Sequence, residues 1–258
     1  MDWGWVMKKQ ITCFIVLAFA GLPVVTQALT FDVRGGYKTG SHSYESRYKV
    51  SESWNSGWWA SIETDNKNNK NNGRGANGAD KSDSSHSLGD SITDYNEIET
   101  NYRWAFAEKW SLQPGGIYHW SSKGTQLRPY IRLNYKATAD TTLGLRYRYD
   151  YNTYETVNDN NESHRDSVNR FDLYVGYKFN DQWSALYQGT AYKHASNDYN
   201  YKNNKSWAAE HAFTLRYKWN SWFSPYVEYD YLDQQGYYEG EDNISESRYR
   251  IGMTFTLS

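Results

Sequence analysis

Apolar and polar residues alternate one by one along most of this chain. Between positions 143 and 151, Leu143, Leu145, Tyr147, Tyr149 and Tyr151 share one parity, while Gly144, Arg146, Arg148 and Asp150 share the other. Phe171, Leu173, Val175, Tyr177 and Phe179 oppose Arg170, Asp172, Tyr174, Gly176 and Lys178 in the same way. Near the end, Tyr249, Ile251, Met253, Phe255 and Leu257 oppose Arg248, Arg250, Gly252, Thr254 and Thr256. Successive side chains of a strand leave on opposite faces, so a period of two predicts β-structure. Strands of soluble sandwiches alternate too, but rarely over about ten residues with Arg and Asp on the inner face.

Extended along the chain, the pattern predicts twelve strands: 30–39, 44–54, 58–64, 92–104, 110–120, 128–137, 142–151, 168–179, 183–193, 207–219, 222–232 and 246–257. Short connections such as Asn55-Ser56-Gly57, Asn180-Asp181-Gln182 and Asn220-Ser221 alternate with longer polar ones. The longest, about 65–91, is rich in Asn, Gly, Ser, Lys and Asp and reads as a solvated external loop. Short turns at one end and long loops at the other are the asymmetry of outer-membrane barrels. Trp54, Trp58, Trp104, Trp110, Trp183, Trp219 and Trp222 flank the short turns, where amphipathic rings would form a belt at a membrane boundary. Pro129 and Pro225 lie near strand starts, and mid-strand Pro114 predicts a bulge. The predicted fold is all-β: a transmembrane antiparallel β-barrel of 12 strands.

Composition removes the competing classes. Of 258 residues, 38% are hydrophobic, yet 25 Tyr, 12 Trp and 9 Phe exclude the aromatic-poor make-up of disorder. A mean hydropathy of −0.92 excludes a bundle of apolar helices, each needing roughly 20 apolar residues. One apolar run exists. Lys8 and Lys9 precede Ile11–Ala20, and Thr26-Gln27-Ala28 offers small residues for cleavage, so residues 1–28 read as an export signal and 29–258 as the barrel. Cys13 lies inside that run, so the exported part holds no cysteine and its stability is expected without disulfides. A net charge of −2 gives no reason to expect nucleic acid.

The stretch LTFDVRGGYKTGSHSYESRYKVSESWNSGWWASIE (29–63) closely resembles the N-terminal hairpins of the oligogalacturonate-specific porins, nearest to their N-acetylneuraminate channel branch. RPYIRLNYKA, LGLRYRYDY, WFSPYVEYDYLDQQG and ESRYRIGMTF are similar to the same family further along. The resemblance spans the chain after residue 28 except the 65–91 loop. It implies a twelve-stranded, monomeric outer-membrane barrel passing acidic mono- or oligosaccharides. The chain departs from outer-membrane custom by ending Phe255-Thr256-Leu257-Ser258 rather than on an aromatic.

The residues themselves carry a matching chemistry. Arginines within strands, Arg103 and Arg216 among them, take the parity opposite the apolar residues, as the lipid-facing cost of about 2–4 kcal/mol demands. Strands twelve, one and two carry Arg248, Arg250, Arg34, Arg47 and Lys49, and strands six to eight carry Arg132, Arg146, Arg148 and Arg170. In a barrel of twelve these stripes would face each other, with Glu63, Glu97, Glu99, Glu210, Glu228 and Asp230 on the walls between. Asp32, Glu45, Asp150 and Asp172 would hold the guanidinium groups in place. Such a field attracts and orients an anionic sugar, and the planar Arg fork suits a carboxylate. The bland alternative is that these charges only brace the wall. Catalysis is not expected: His119 and Ser121 share a face, but an inward one, and the six histidines show no metal-ligand spacing. No cofactor is expected either. An adhesin acting through the long loop is the competing function, and would not need an open interior.

Overall fold

The structure, a computed structural model, describes residues 26–39, 43–68, 91–201, 205–233 and 245–257. Residues 1–25 of the expected signal and most of the 65–91 loop therefore lie outside the described residues. Twelve strands form the wall: β1 (Thr26–Lys38), β2 (Ser43–Trp54), β3 (Trp58–Asn68), β4 (Ser91–Tyr102, continued by Trp104–Ala107), β5 (Trp110–Ser121), β6 (Gly124–Lys136), β7 (Thr141–Asn152), β8 (Ser167–Lys178), β9 (Trp183–His194), β10 (Trp207–Tyr217), β11 (Phe223–Asp233) and β12 (Glu246–Leu257). Each pairs antiparallel with its chain neighbours, and β12 returns to β1 from Leu29↔Leu257 to Lys38↔Arg248. The sheet is thus a closed barrel, which leaves no edge of unpaired N–H and C=O groups, as a bilayer requires.

Alternation now has a direction. Ile251 and Leu145, 67% and 59% exposed, face outward, whereas Asp172 and Asp230, 2% and 0% exposed, face inward. The usual burial rule is inverted because lipid, not protein, covers the apolar face. Exposed Trp58, Trp104, Trp110, Trp183, Trp219 and Trp222 ring the short-turn end. Cross-strand pairs link this belt, with ring centroids 5.3 Å apart for Trp58–Tyr102, 4.4 Å for Trp110–Tyr135 and 4.7 Å for Trp183–Tyr217.

Two sequence expectations need correction. Arg103 does not continue an inward strand: it interrupts β4, is exposed, and donates its N–H to Gly57 O at 2.8 Å. Gly57 takes φ +95°, and a Cβ there would lie 2.8 Å from Arg103 O, so this corner requires glycine. The irregularity assigned to Pro114 falls on the neighbour instead. β5 keeps unbroken register with β6 through Pro114↔Ile131, while β4 breaks between Asn101↔Gly115 and Trp104↔Leu112, opposite the residue with no N–H to give. Three bounds also moved outward by four residues each. β1 starts at Thr26, β3 runs to Asn68, and β6 begins at Gly124, four residues before the predicted start.

At the long-loop end, two connections clasp each other. A small hairpin pairs Thr156–Val157 with Ser163–His164, and Tyr199 Oη donates to Thr156 O and His164 O, both at 2.9 Å. Asn200 Nδ2 donates to Asp159 Oδ2 at 2.8 Å.

Candidate functional site

The candidate site is the inner wall, where a dense ionic lattice brings the sequence-predicted residues together. On the β12–β1–β2 side, Glu45 accepts from Arg250 at 2.7 Å and lies 3.2 Å from Lys38 Nζ. Asp230 lies 2.6 Å from Arg248 and 2.9 Å from Arg250. Glu228 accepts from Arg34 at 3.2 Å and from Arg250 at 2.5 Å, and Glu210 accepts from Arg248 at 2.7 Å. Glu63 lies 3.2 Å from Lys49 and 3.8 Å from Arg47, and Glu99 is 3.9 Å from Lys49. The acids expected on separate walls are therefore bonded into the basic stripe. The reach is two strands, as in Arg248 on β12 to Glu210 on β10.

The β6–β7–β8 side repeats the pattern. Asp172 accepts from Arg146 at 2.8 Å and Arg170 at 2.9 Å, and Asp150 takes a two-pronged grip from Arg148 at 2.6 and 2.7 Å. Arg128, absent from the predicted set, donates to Glu97, whose Oε1 also lies 3.0 Å from His119 Nδ1. Its parity with Tyr130 and Arg132 was the available signal. His119 is thus committed to a carboxylate, and Ser121 Oγ accepts the Lys123 N–H at 3.2 Å.

Glycines let long side chains lie flat along this wall. Tyr226 crosses Gly252 to donate to Asp32 at 2.9 Å, and Tyr130 crosses Gly115 to donate to Glu99 at 2.6 Å. A Cβ at Gly252 would sit 2.3 Å from Tyr226 Cζ, and one at Gly115 2.5 Å from Tyr130 Cζ. Arg132 crosses Gly144 likewise, its guanidinium 3.9 Å from the Tyr174 ring centroid. Gly252→Val should therefore lift Tyr226 off the wall into the lumen, with overpacking strain of about 1–3 kcal/mol. Conductance should fall, read in a planar bilayer beside a urea midpoint. Unchanged conductance would mean that the ring never defined the opening.

A closed barrel with an apolar outside and a charged inside is a transmembrane β-barrel of the porin class. More narrowly, the chain belongs to the oligogalacturonate-specific porin family, whose model, described as "Oligogalacturonate-specific porin protein (KdgM)", matches residues 23–257. It is 42% identical over 250 residues to the N-acetylneuraminic acid outer membrane channel protein NanC of Escherichia coli (strain K12), covering 97% of this chain and 99% of that one. The solved NanC porin superposes with a TM-score of 0.76 at 42% identity, covering 88% of this chain and all of that one. A KdgM porin in complex with disordered oligogalacturonate shares the fold at a TM-score of 0.59 and 18% identity, over 89% of this chain and 99% of that one.

Proposed function

We propose that this protein is a monomeric porin of the Gram-negative outer membrane through which acidic sugars diffuse along an arginine-lined passage. The carrying observation is the inner wall itself, where guanidinium groups fixed by ion pairs on β1, β2, β7, β8 and β12 surround the axis. Held at fixed positions in a narrow, low-dielectric space, their charges make a field that attracts and orients a carboxylate without trapping it, so that a solute enters and still leaves. Similarity to a channel named for N-acetylneuraminic acid favours a single acidic sugar over an oligomer as the cargo.

Single-channel recording in planar bilayers tests this reading. N-acetylneuraminate should permeate faster than a neutral sugar of equal size, and the gap should narrow as the Debye length shrinks from about 10 Å at 0.1 M salt to about 3 Å at 1 M. Equal flux of acidic and neutral sugars at low salt would mean that the charges only brace the wall. A closed, non-conducting barrel would favour a surface-binding role.

A further inference from the structure

The inward arginines divide into two sets. Most are already neutralised by a carboxylate, Arg148 in the two-pronged grip of Asp150 being the extreme case. Of the inward arginines among the described residues, Arg132 and Arg216 have no ion pair. Each rests on a tyrosine face instead, Arg132 on Tyr174 at 3.9 Å and Arg216 on Tyr226 at 4.4 Å from the ring centroid. A π face orients a guanidinium without cancelling its charge. The remaining partners of Arg216 are neutral: Thr254 Oγ1 at 2.7 Å and Ser224 O at 3.4 Å. Arg132 keeps a buried Nε with no hydrogen-bond partner. A guanidinium has five donors, so both retain valence for an anion.

Arg216 also borders a cavity of about 250 Å³, shared with Ser184, Leu186, Gln188, Thr214 and Tyr226. That volume is below the roughly 300–1,000 Å³ of pockets for drug-sized ligands, and suits one sugar unit rather than an oligomer. Leu186 faces inward, paired with Thr214, yet is 40% exposed, so the wall is open there. A cation for a carboxylate, an apolar patch for ring C–H groups and three polar side chains for hydroxyls are the parts that a carboxylated sugar needs. Asp32, Glu228, Arg34 and Arg47 line the same cavity, but Asp32 is bonded to Arg47, and Glu228 to Arg34 and Arg250, which leaves Arg216 as the lining cation without an ion pair. Arg216 lies one residue from the end of β10, and Arg132 four from the end of β6, both towards the short turns.

We propose that Arg216 with its cavity is a binding station for the carboxylate of a single acidic sugar. Arg132, four strands round the wall, is a second and weaker one, and the ion-paired arginines supply field and rigidity without holding the solute. This rests on the acidic-sugar reading above. The test measures current interruptions by N-acetylneuraminate and by galacturonate, with N-acetylglucosamine as the neutral probe, on folded channels verified by heat-modifiable gel migration. Arg216→Gln should weaken acidic-sugar binding about tenfold, as expected for the loss of a charge-assisted hydrogen bond, and leave the neutral sugar unaffected. Leu186→Glu, which keeps Arg216 but neutralises it, should do the same, and Arg132→Gln should have a smaller effect. Arg128→Gln, on an ion-paired arginine outside this cavity, should change binding less than twofold. Binding within twofold of the parent in both R216Q and L186E, or equal losses in R216Q and R128Q, would overturn the proposal. If the parent channel itself fails to distinguish acidic from neutral sugars, the functional reading has failed, whatever the variants do.

Discussion

Asp172→Ala should be the most damaging single substitution in this wall, lowering the stability of the folded barrel by about 3–5 kcal/mol. Asp172 is 2% exposed and accepts from Arg146, Arg170, Thr190 Oγ1 at 2.8 Å and Gln188 Nε2 at 3.2 Å. Removing it strands two guanidinium groups on the inner wall, where their mutual repulsion is no longer offset. Asp172→Asn keeps the shape but not the charge, so it should recover only part of the loss. The turn pair of Lys178 and Asp181 is the control, since Asp181 is nearly fully exposed. Asp181→Ala should be silent because solvent screens exposed pairs. Urea titrations in lipid vesicles, followed by tryptophan fluorescence, measure both. A D172A midpoint equal to the parent's would show that the ionic lattice is hydrated and contributes no cohesion.

Periodicity made the barrel legible, and it failed where chemistry interrupts the period. β8 was predicted over 168–179 and runs from Ser167 to Lys178, because its two parities never mix. β6 was predicted to open at 128 because Pro129 looks like a strand start. Yet Thr125 and Leu127 continue the alternation, and Arg128, inside even the shorter strand and on the parity of Tyr130 and Arg132, belonged in the candidate set. The arginine parity was readable, but the bonding was not. Arg248 meets Glu210 two strands away, a contact set by the stagger of a closed barrel and by no spacing in sequence. The same holds for the glycine gaps: Gly144 and Arg132 are neighbours only once β6 and β7 are in register. Tyr199, in a connection that reads as merely polar, clasps a second loop through two backbone carbonyls.

Leu145→Arg should cost about 2–4 kcal/mol, whereas Leu186→Arg should cost almost nothing. Hydropathy cannot tell these leucines apart, and their exposures, 59% and 40%, are similar. Parity separates them. Leu145 on β7 aligns with Leu133 and Leu173 on the adjacent strands, forming an outward row of leucines. It stands five residues into its strand, which at about 3.4 Å per residue and a tilt of about 40° is on the order of 10 Å above the turn. That height falls inside an apolar band about 25 Å tall, where an arginine finds neither water nor a counter-ion. Leu186 on β9 aligns with Thr214 on the inward side, so its replacement would sit beside Arg216 and the cavity. Both variants can be followed by the same urea titration, with ion selectivity read in parallel. L145R should lose stability at unchanged selectivity, and L186R should hold its stability and become more anion-selective. Equal destabilisation by both would mean that the wall at Leu186 is closed to water, and then no solute passes along that side of the barrel.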